Sequence, residues 1–483
     1  MKQKENVCRM PKLAEALMPL CVLIAALSVG ILVYDQAPHI PMLIGTAAAA
    51  ILALRLGYRW NRVEQMLVNG IVQALGAVII LLMIGLLIGI WVDSGVVPTM
   101  IYYGLKLLKP SFFLTATVII CSVTSLATGS SWGTVGTIGV ALMGVGAGLG
   151  INPALTAGAI VSGAYFGDKT SPMSDSTTLA AAVSGCNIIT HIRFMLLPTG
   201  IAYGITLVIF TLLGSSSGGE AAADMGSVAA LSGELDRLFT ISPLLLLPIL
   251  LVITLVALKV PALPGLAAGI LSGAVLGVIL QQDCTLGSIM ECGLYGYTCR
   301  SSLEAVSSLL TTGGIVNMGY TITMVLIAMM FSGIMSECGA LTVIADSLKK
   351  AFIKSPASLV ALTETSCIVS NIVMPDQYIA IVVPGSMFQG EYRKMELAPQ
   401  TLSNALDSAG AVTSPLVPWN TCGVYVSGVL GIGVFSYMRF AVFNYIMPLV
   451  TLIMAFTGLT ICGRNGKRMG AAARRRFIES GQP

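Results

Sequence analysis

The sequence predicts an all-α polytopic membrane protein made of two inverted-topology repeats with re-entrant hairpins and broken helices. Three observations lead there. Of 483 residues, 55% are hydrophobic and only 10% charged, against about 25% charged in an ordinary soluble domain. So little polar surface cannot cover so large an apolar core, and lipid must supply the remaining contact. Basic residues gather at both ends while the polar stretch at the middle is acidic. Polar, Gly- or Pro-bearing interruptions also recur at corresponding places in the two halves.

Runs of roughly 20 apolar residues mark spanning helices. They fall at 17–34, 40–56, 67–92, 112–127, 194–213, 239–258, 263–280, 320–335 and 438–462. The first follows a basic start (Lys2, Lys4, Arg9, Lys12), yet it is long enough to span and no small-x-small site closes it, so it reads as a membrane helix and not a cleaved signal. Four further apolar stretches, 118–150, 152–185, 358–387 and 401–433, are broken by polar or Pro-rich segments. The 52 glycines are scattered among apolar runs, which suits close approach of helix backbones. Eleven cysteines form no CxxC pair and lie mostly in apolar surroundings, as small packing residues do. With a net charge of only +4, and basic residues at the termini and short loops, no nucleic-acid partner is expected.

Positive charge resists translocation. The basic amino terminus, the short loop with Arg59 and Arg62, and the tail with Arg464, Lys467, Arg468 and Arg474 to Arg476 are therefore expected in the cytoplasm. Glu220, Asp224, Glu234 and Asp236 against the single Arg237 mark the central linker as external. The division that follows is a cytoplasmic segment 1–16, a first membrane repeat 17–213, an external linker 214–238, a second repeat 239–463 and a basic cytoplasmic tail 464–483. The expected home is a bacterial-type cytoplasmic (inner) membrane, with both termini cytoplasmic.

The interruptions carry the chemistry. In the first half, Ser125-Leu-Ala-Thr-Gly-Ser-Ser-Trp-Gly-Thr134 precedes Asp168 and Thr170-Ser171-Pro172; in the second, Ser370-Asn-Ile-Val-Met-Pro-Asp-Gln-Tyr378 precedes Asp407 and Thr413-Ser414-Pro415. From Ser125 to Asp168 is 43 residues and from Ser370 to Asp407 is 37. Unwound backbone at membrane depth is tolerated only inside protein or beside a water-filled cavity, where carbonyls, hydroxyls and a carboxylate form an oxygen cage suited to a hard cation. The bland alternatives are an ordinary surface loop at 167–176 and a Ser/Thr-rich helix contact at 128–134. Among other acids, Asp93 and Glu337 lie near helix ends, while Glu364 sits inside an apolar stretch, where a charge costs at least about 2.5 kcal/mol. Lys169 has two readings, as neutraliser of its neighbour Asp168 or as a substrate contact. His191, at a helix start, reads as a satisfied interfacial histidine.

These stretches resemble the NhaC family of Na⁺/H⁺ antiporters, through Gly129-Ser-Ser-Trp-Gly-Thr-Val-Gly-Thr137, Gly167-Asp-Lys-Thr-Ser-Pro-Met-Ser-Asp-Ser176, Asp376-Gln-Tyr378, and Asp407-Ser-Ala-Gly410 with Thr413-Ser-Pro-Leu-Val-Pro-Trp-Asn420. The likeness runs over roughly residues 67–462. It implies two inverted repeats, each with a hairpin and a broken helix, and elevator-like movement. One departure is Met374-Pro375 ahead of Asp376, where a Thr-Gly like Thr128-Gly129 would be expected.

The expected activity is exchange of Na⁺ for H⁺ at shared carboxylates, because burial disfavours the ionised acid and a bound cation favours it. Asp168 and Asp407 are the leading ligands and Asp175 and Asp376 the next. Thr128, Ser130, Ser131, Thr170, Ser171, Thr413 and Ser414, with Asn371 and Asn420, would complete the oxygen shell. No cofactor is expected; Na⁺ is the transported ion, the bilayer is the solvent, and a homodimer is an expected assembly. Three rivals are weighed. A Na⁺/H⁺-coupled exchanger of organic anions (malate or lactate type) or amino acids would use Lys169 or Arg193 on a substrate carboxylate. An intramembrane aspartyl protease expects Gly-x-Gly-Asp, whereas Tyr165-Phe-Gly-Asp168 lacks the first glycine. A passive channel would conduct without counter-ion coupling.

Overall fold

The computed structural model describes residues 9–34, 36–221, 225–258, 260–301, 303–344, 347, 355–374 and 376–463. Pro375 and the tail 464–483 lie outside the described residues, as do residues 1–8 of the amino-terminal segment 1–16. The described chain is helical, and its only β contacts are two isolated bridges. Among the described residues, seven helices are long and apolar enough to cross a membrane, or up to nine if two bent pairs each count as one span.

The first part runs α1 (Leu13–Ser28), α2 (His39–Arg55), α3 (Trp60–Asp93) and α4 (Val96–Leu107). A hairpin follows, α5 (Pro110–Thr128) and α6 (Ser131–Thr134), which continues through a π-turn at Val135–Gly139 into α7 (Val140–Gly148). A broken helix comes next, α8 (Pro153–Thr170) and α9 (Asp175–Ser184), and then the long α10 (Ile188–Ala221). The stretch 214–238, expected as an open polar linker, is helical wherever it is described: α10 runs to Ala221 and α11 covers Met225–Leu238. Leu231 and Leu235 explain this, because their i,i+4 spacing gives α11 one buried apolar stripe.

The expected span 239–258 is part of a bent pair. Ala229–Leu238 and Pro243–Leu255 meet at 94°, and Pro243 opens the turn that leads into α12 (Leu247–Ala257). Then come α13 (Ala262–Leu280), α14 (Leu286–Tyr295), α15 (Glu304–Leu310) and α16 (Gly319–Glu337). A second hairpin, α17 (Pro356–Val373) and α18 (Gln377–Lys394), leads to α19 (Pro399–Leu406), which runs into a π-turn at Asp407–Ala411 and breaks. The chain resumes as α20 (Thr421–Leu430), α21 (Val434–Tyr437) and α22 (Val442–Thr457). The span expected at 438–462 is thus shortened, because a 3₁₀ turn occupies Met438–Phe440 and Gly458, at φ 85°, closes the helix.

The two hairpin-plus-broken-helix units share one register. Second-half elements begin 246 residues after their counterparts: Pro110 with Pro356, Ser131 with Gln377, Pro153 with Pro399, Asp175 with Thr421 and Ile188 with Val434. Proline opens both members of two of these pairs, where its missing N–H costs a helix nothing. The same tie holds each hairpin to its broken helix. The Ser125 hydroxyl donates to the Ala164 carbonyl at 2.6 Å, and the Asn371 amide donates to the Gly410 carbonyl, also 246 residues along, at 2.7 Å. This register pairs Asp168 with Ser414, and not with Asp407. The recurring Thr-Ser-Pro triplets mark where each helix breaks, since proline stops a helix wherever it falls, and they are poor guides to alignment.

Two small-residue contacts set the first unit. Gly163 and Gly167 lie four apart on α8 and face α5, where an added Cβ would run into the carbonyls of Val118 and Ser122; the two backbones meet directly, as small residues permit. Gly129, at φ 66°, turns the first hairpin in a left-handed conformation, against the Met173 backbone of the break in α8–α9.

Candidate functional site

The two broken helices bring their charged residues together in the buried interior. The Lys169 ammonium donates to Asp407 Oδ2 at 2.7 Å, and neither side chain is exposed at all. These residues are 238 apart in sequence. Lys169 does not serve as neutraliser of Asp168, because adjacent residues on a helix point in different directions. Asp168 instead accepts from the Ser131 hydroxyl at 2.7 Å, from the first turn of α6. The two carboxylates therefore hold separate donors and do not bond each other as a protease dyad would.

His191 joins this cluster. Its Nε2 lies 3.7 Å from Asp407 Oδ2, and its Nδ1 is 2.8 Å from the Ser403 hydroxyl. The side chain is fully buried, so the interfacial reading is corrected: α10 carries His191 inward against α19. Ser403 and Asp407 are four apart on one helix and so share a face, which is the signal that could have linked all three in sequence. Asp407 Oδ1 and His191 Nε2 are buried without a hydrogen-bond partner among the described residues. Asp407 also opens a π-turn, a local widening of the helix that often marks functional positions.

The remaining candidates separate into two further groups. Asn371 is the hub of an amide clasp: it donates to Gly410 O at 2.7 Å and to Thr413 Oγ at 3.1 Å, and receives Asn420 on its Oδ1 at 3.1 Å. The Trp419 indole donates to the Ile372 carbonyl at 2.7 Å and closes the same seam. Ser414 donates to its own helix at Ala411 O, with Gln377 at 3.5 Å. The third group lines a cavity of about 420 Å³ beside the first hairpin tip, with Thr128, Ser130 and Asp175 on one side and Val252 and Leu266 on the other. Asp175 is exposed there.

Several candidates are occupied by local structure. Ser130 caps α6 by accepting from the Gly133 N–H at 3.0 Å. Asp376 stands at the matching position and caps α18, accepting from Tyr378 and Ile379 at 2.9 and 3.1 Å. Thr170 donates back to Phe166 O, and Ser171 accepts from Met173 N. Arg193 is exposed and stands away from the buried cluster. Of the acids near helix ends, Asp93 accepts from Ser288 at 2.8 Å, and Glu337 pairs with Arg62 at 2.7 Å.

A helical membrane protein with two broken helices crossing at a buried, cation-balanced carboxylate has the anatomy of a secondary transporter. Comparison with known proteins carries this to a family: the Na⁺/H⁺ antiporter family matches residues 9–165 and 163–459, and the chain belongs to it. It is 35% identical over 459 residues, covering 95% of this chain and 98% of the relative, to the Na⁺/H⁺ antiporter NhaC of Alkalihalophilus pseudofirmus. It is 37% identical over 450 residues, 93% of this chain and 96% of the relative, to the malate-2H⁺/Na⁺-lactate antiporter of Bacillus subtilis. It is 36% identical over 451 residues, 93% of this chain and 92% of the relative, to the arginine/ornithine antiporter ArcD of Halobacterium salinarum.

Proposed function

We propose that the chain exchanges Na⁺ for H⁺ across a bacterial-type cytoplasmic membrane, with Asp168 and Asp407 holding the two cations alternately. The observation that carries this reading is the fully buried Lys169–Asp407 pair at 2.7 Å. Two carboxylates and one ammonium leave one net negative charge. Burying uncompensated charge is costly, so the cluster is best balanced by one further monovalent cation, either H⁺ or Na⁺. Lys169 occupies Oδ2 of Asp407, while Oδ1 is an acceptor with no partner among the described residues; that oxygen is the open ligand. Ser131 steadies Asp168, and His191, held by the Ser403 hydroxyl, approaches the same Oδ2 of Asp407 that Lys169 occupies. The amide clasp then holds the second break closed, and the first cavity supplies Na⁺ through Asp175, Ser130 and Thr128. Both termini face the cytoplasm and the two halves have opposite orientation, so one movement exposes the cluster to one side at a time.

Reconstituted protein tests this. Asp168→Asn and Asp407→Asn should each abolish Na⁺-driven proton flux in proteoliposomes while the protein still inserts and elutes as the wild type does. Full flux in either variant would remove that carboxylate from the site.

A second reading is favoured by one observation, the comparable identity to organic-acid and amino-acid antiporters. It requires Lys169 to leave Asp407 and meet a substrate carboxylate, since Arg193 is exposed elsewhere. Malate-, lactate- or arginine-dependent proton flux with no flux on Na⁺ alone would favour it.

A further inference from the structure

A second cavity, of about 400 Å³, lies between α17, α22 and the turn at Ser414–Leu416, apart from the one at the first hairpin tip. Its walls are apolar, with Ile368, Leu416, Pro448 and Leu449 among them, yet Glu364 and Asn444 also line it. Glu364 is only 4% exposed and Asn444 is fully buried. Glu364 Oε1 and Asn444 Oδ1 have no hydrogen-bond partner among the described residues. The Asn444 amide nitrogen is fixed on the Val412 carbonyl at 2.6 Å, which leaves its oxygen free as an acceptor. At the rim, Leu449 is 53% and Tyr445 36% exposed, so the cavity opens on the apolar perimeter of the helix bundle.

The donor set decides what fits. Among the described residues no cationic side chain lines the cavity, so an anion has nothing there to hold it. A dehydrated metal ion needs about six oxygen ligands. Here the oxygens on the cavity wall fall short of that: the Glu364 carboxylate, the Asn444 carbonyl and the exposed Thr365 hydroxyl, with the Thr413 hydroxyl already engaged by Ala409 and Asn371. A neutral apolar guest would leave a buried carboxylate and a buried carbonyl unsatisfied. The one nearby ammonium, Lys169, is bonded to Asp407. What matches unpartnered acceptors on the wall of an otherwise apolar slot is a cationic N–H donor with a short hydrocarbon tail, because charge-assisted hydrogen bonds form at the head and each buried methylene adds to binding.

We propose that this side cavity binds a small lipophilic primary ammonium ion, with its head on Glu364 and Asn444 and its alkyl chain along α22. The site shares no lining residue with the Na⁺/H⁺ cluster, although Lys169 of that cluster acts on Glu364 through space.

Calorimetric titration of the full chain in lipid nanodiscs, with n-butylammonium as probe and empty nanodiscs as reference, tests the site. Saturable binding at one site per chain is expected. Glu364→Gln should weaken it by about tenfold or more, the scale of a lost charge-assisted contact, and n-butanol should bind at least that much more weakly than the ammonium. Leu449→Trp, which fills the rim without touching the carboxylate, should also remove binding, and this arm decides if the Glu364 variant does not fold. No saturable binding to the wild type, equal binding by butanol, or unchanged binding in well-folded Leu449→Trp or Glu364→Gln protein would overturn the proposal.

Discussion

The two broken-helix units are built on one register and carry different chemistry. In the first, the hairpin tie is a serine, Ser125, and the hairpin cap is Ser130. In the second, the matching tie is Asn371 and the matching cap is Asp376. The second break is sewn shut by the Asn371 and Asn420 amides and the Thr413 hydroxyl. The first break holds Lys169 and Asp168 next to each other, and they turn to different partners. On that shared register the two units spend their polar residues differently: the clasp ties the second hairpin to its own break, while Lys169 of the first unit bonds the second unit's carboxylate. Asp407 is thus the buried point where the halves are joined by charge, beside the more exposed Arg62–Glu337 pair.

The largest effect should come from breaking that joint. Asp407→Asn should lose exchange and also about 3–5 kcal/mol of stability, because it leaves the buried Lys169 ammonium uncompensated. Lys169→Met combined with Asp407→Leu should recover most of that stability and none of the exchange. Thermal melts beside flux measurements check both. If the double variant exchanges ions, the charged joint is scaffold only.

Next in size is the contrast between the two ties. Asn371→Ala removes the bonds to the Gly410 carbonyl, the Thr413 hydroxyl and the Asn420 amide and should cost about 2–3 kcal/mol, against about 1 kcal/mol for Ser125→Ala, which removes one hydrogen bond. Equal losses in chemical denaturation would mean that the second clasp adds nothing beyond its counterpart.

Much of this arrangement was legible in the sequence. Membrane class followed from charge depletion, and both hairpins and both breaks followed from Gly, Ser and Pro interrupting apolar runs, since those residues carry their local consequence with them. Partners across the fold were not legible. Lys169 sits beside Asp168 in the chain, yet helix geometry turns it to a carboxylate 238 residues away. His191 looked interfacial because it opens a helix, while its burial depends on how α10 packs against α19. The central stretch looked like a linker by its acids, but the Leu231 and Leu235 stripe outweighed them. The thirteen candidate residues read as one shell divide into a buried cluster, a clasp, a cavity rim and a set that bonds within its own turn (Asp376, Thr170, Ser171 and Ser414), a separation that only packing decides.

Smaller effects sharpen the assignment within the cluster. Ser131→Ala removes one hydrogen bond to a carboxylate and should raise the half-saturating Na⁺ concentration by about tenfold, the scale of about 1.4 kcal/mol, with maximal flux retained. Initial rates against Na⁺ read this directly, and an unchanged half-saturation would detach Ser131 from the site. Smallest of all, Arg193→Gln should leave both flux and melting temperature unaltered within about 0.5 kcal/mol, as exposed substitutions usually do. Loss of exchange in that variant would revive the organic-anion role for Arg193.

The central claim is that one buried cluster holds either Na⁺ or H⁺, and the apparent Na⁺ affinity of the wild-type protein as a function of pH tests it most directly. Where a single proton competes with a single Na⁺, each unit fall in pH should raise the half-saturating Na⁺ concentration by up to about tenfold, equivalent to about 1.4 kcal/mol of lost binding. The rise should level off at higher pH, once the cluster has released its proton. A Na⁺ affinity that stays constant across the whole active pH range would mean separate sites for the two ions, and would contradict the account.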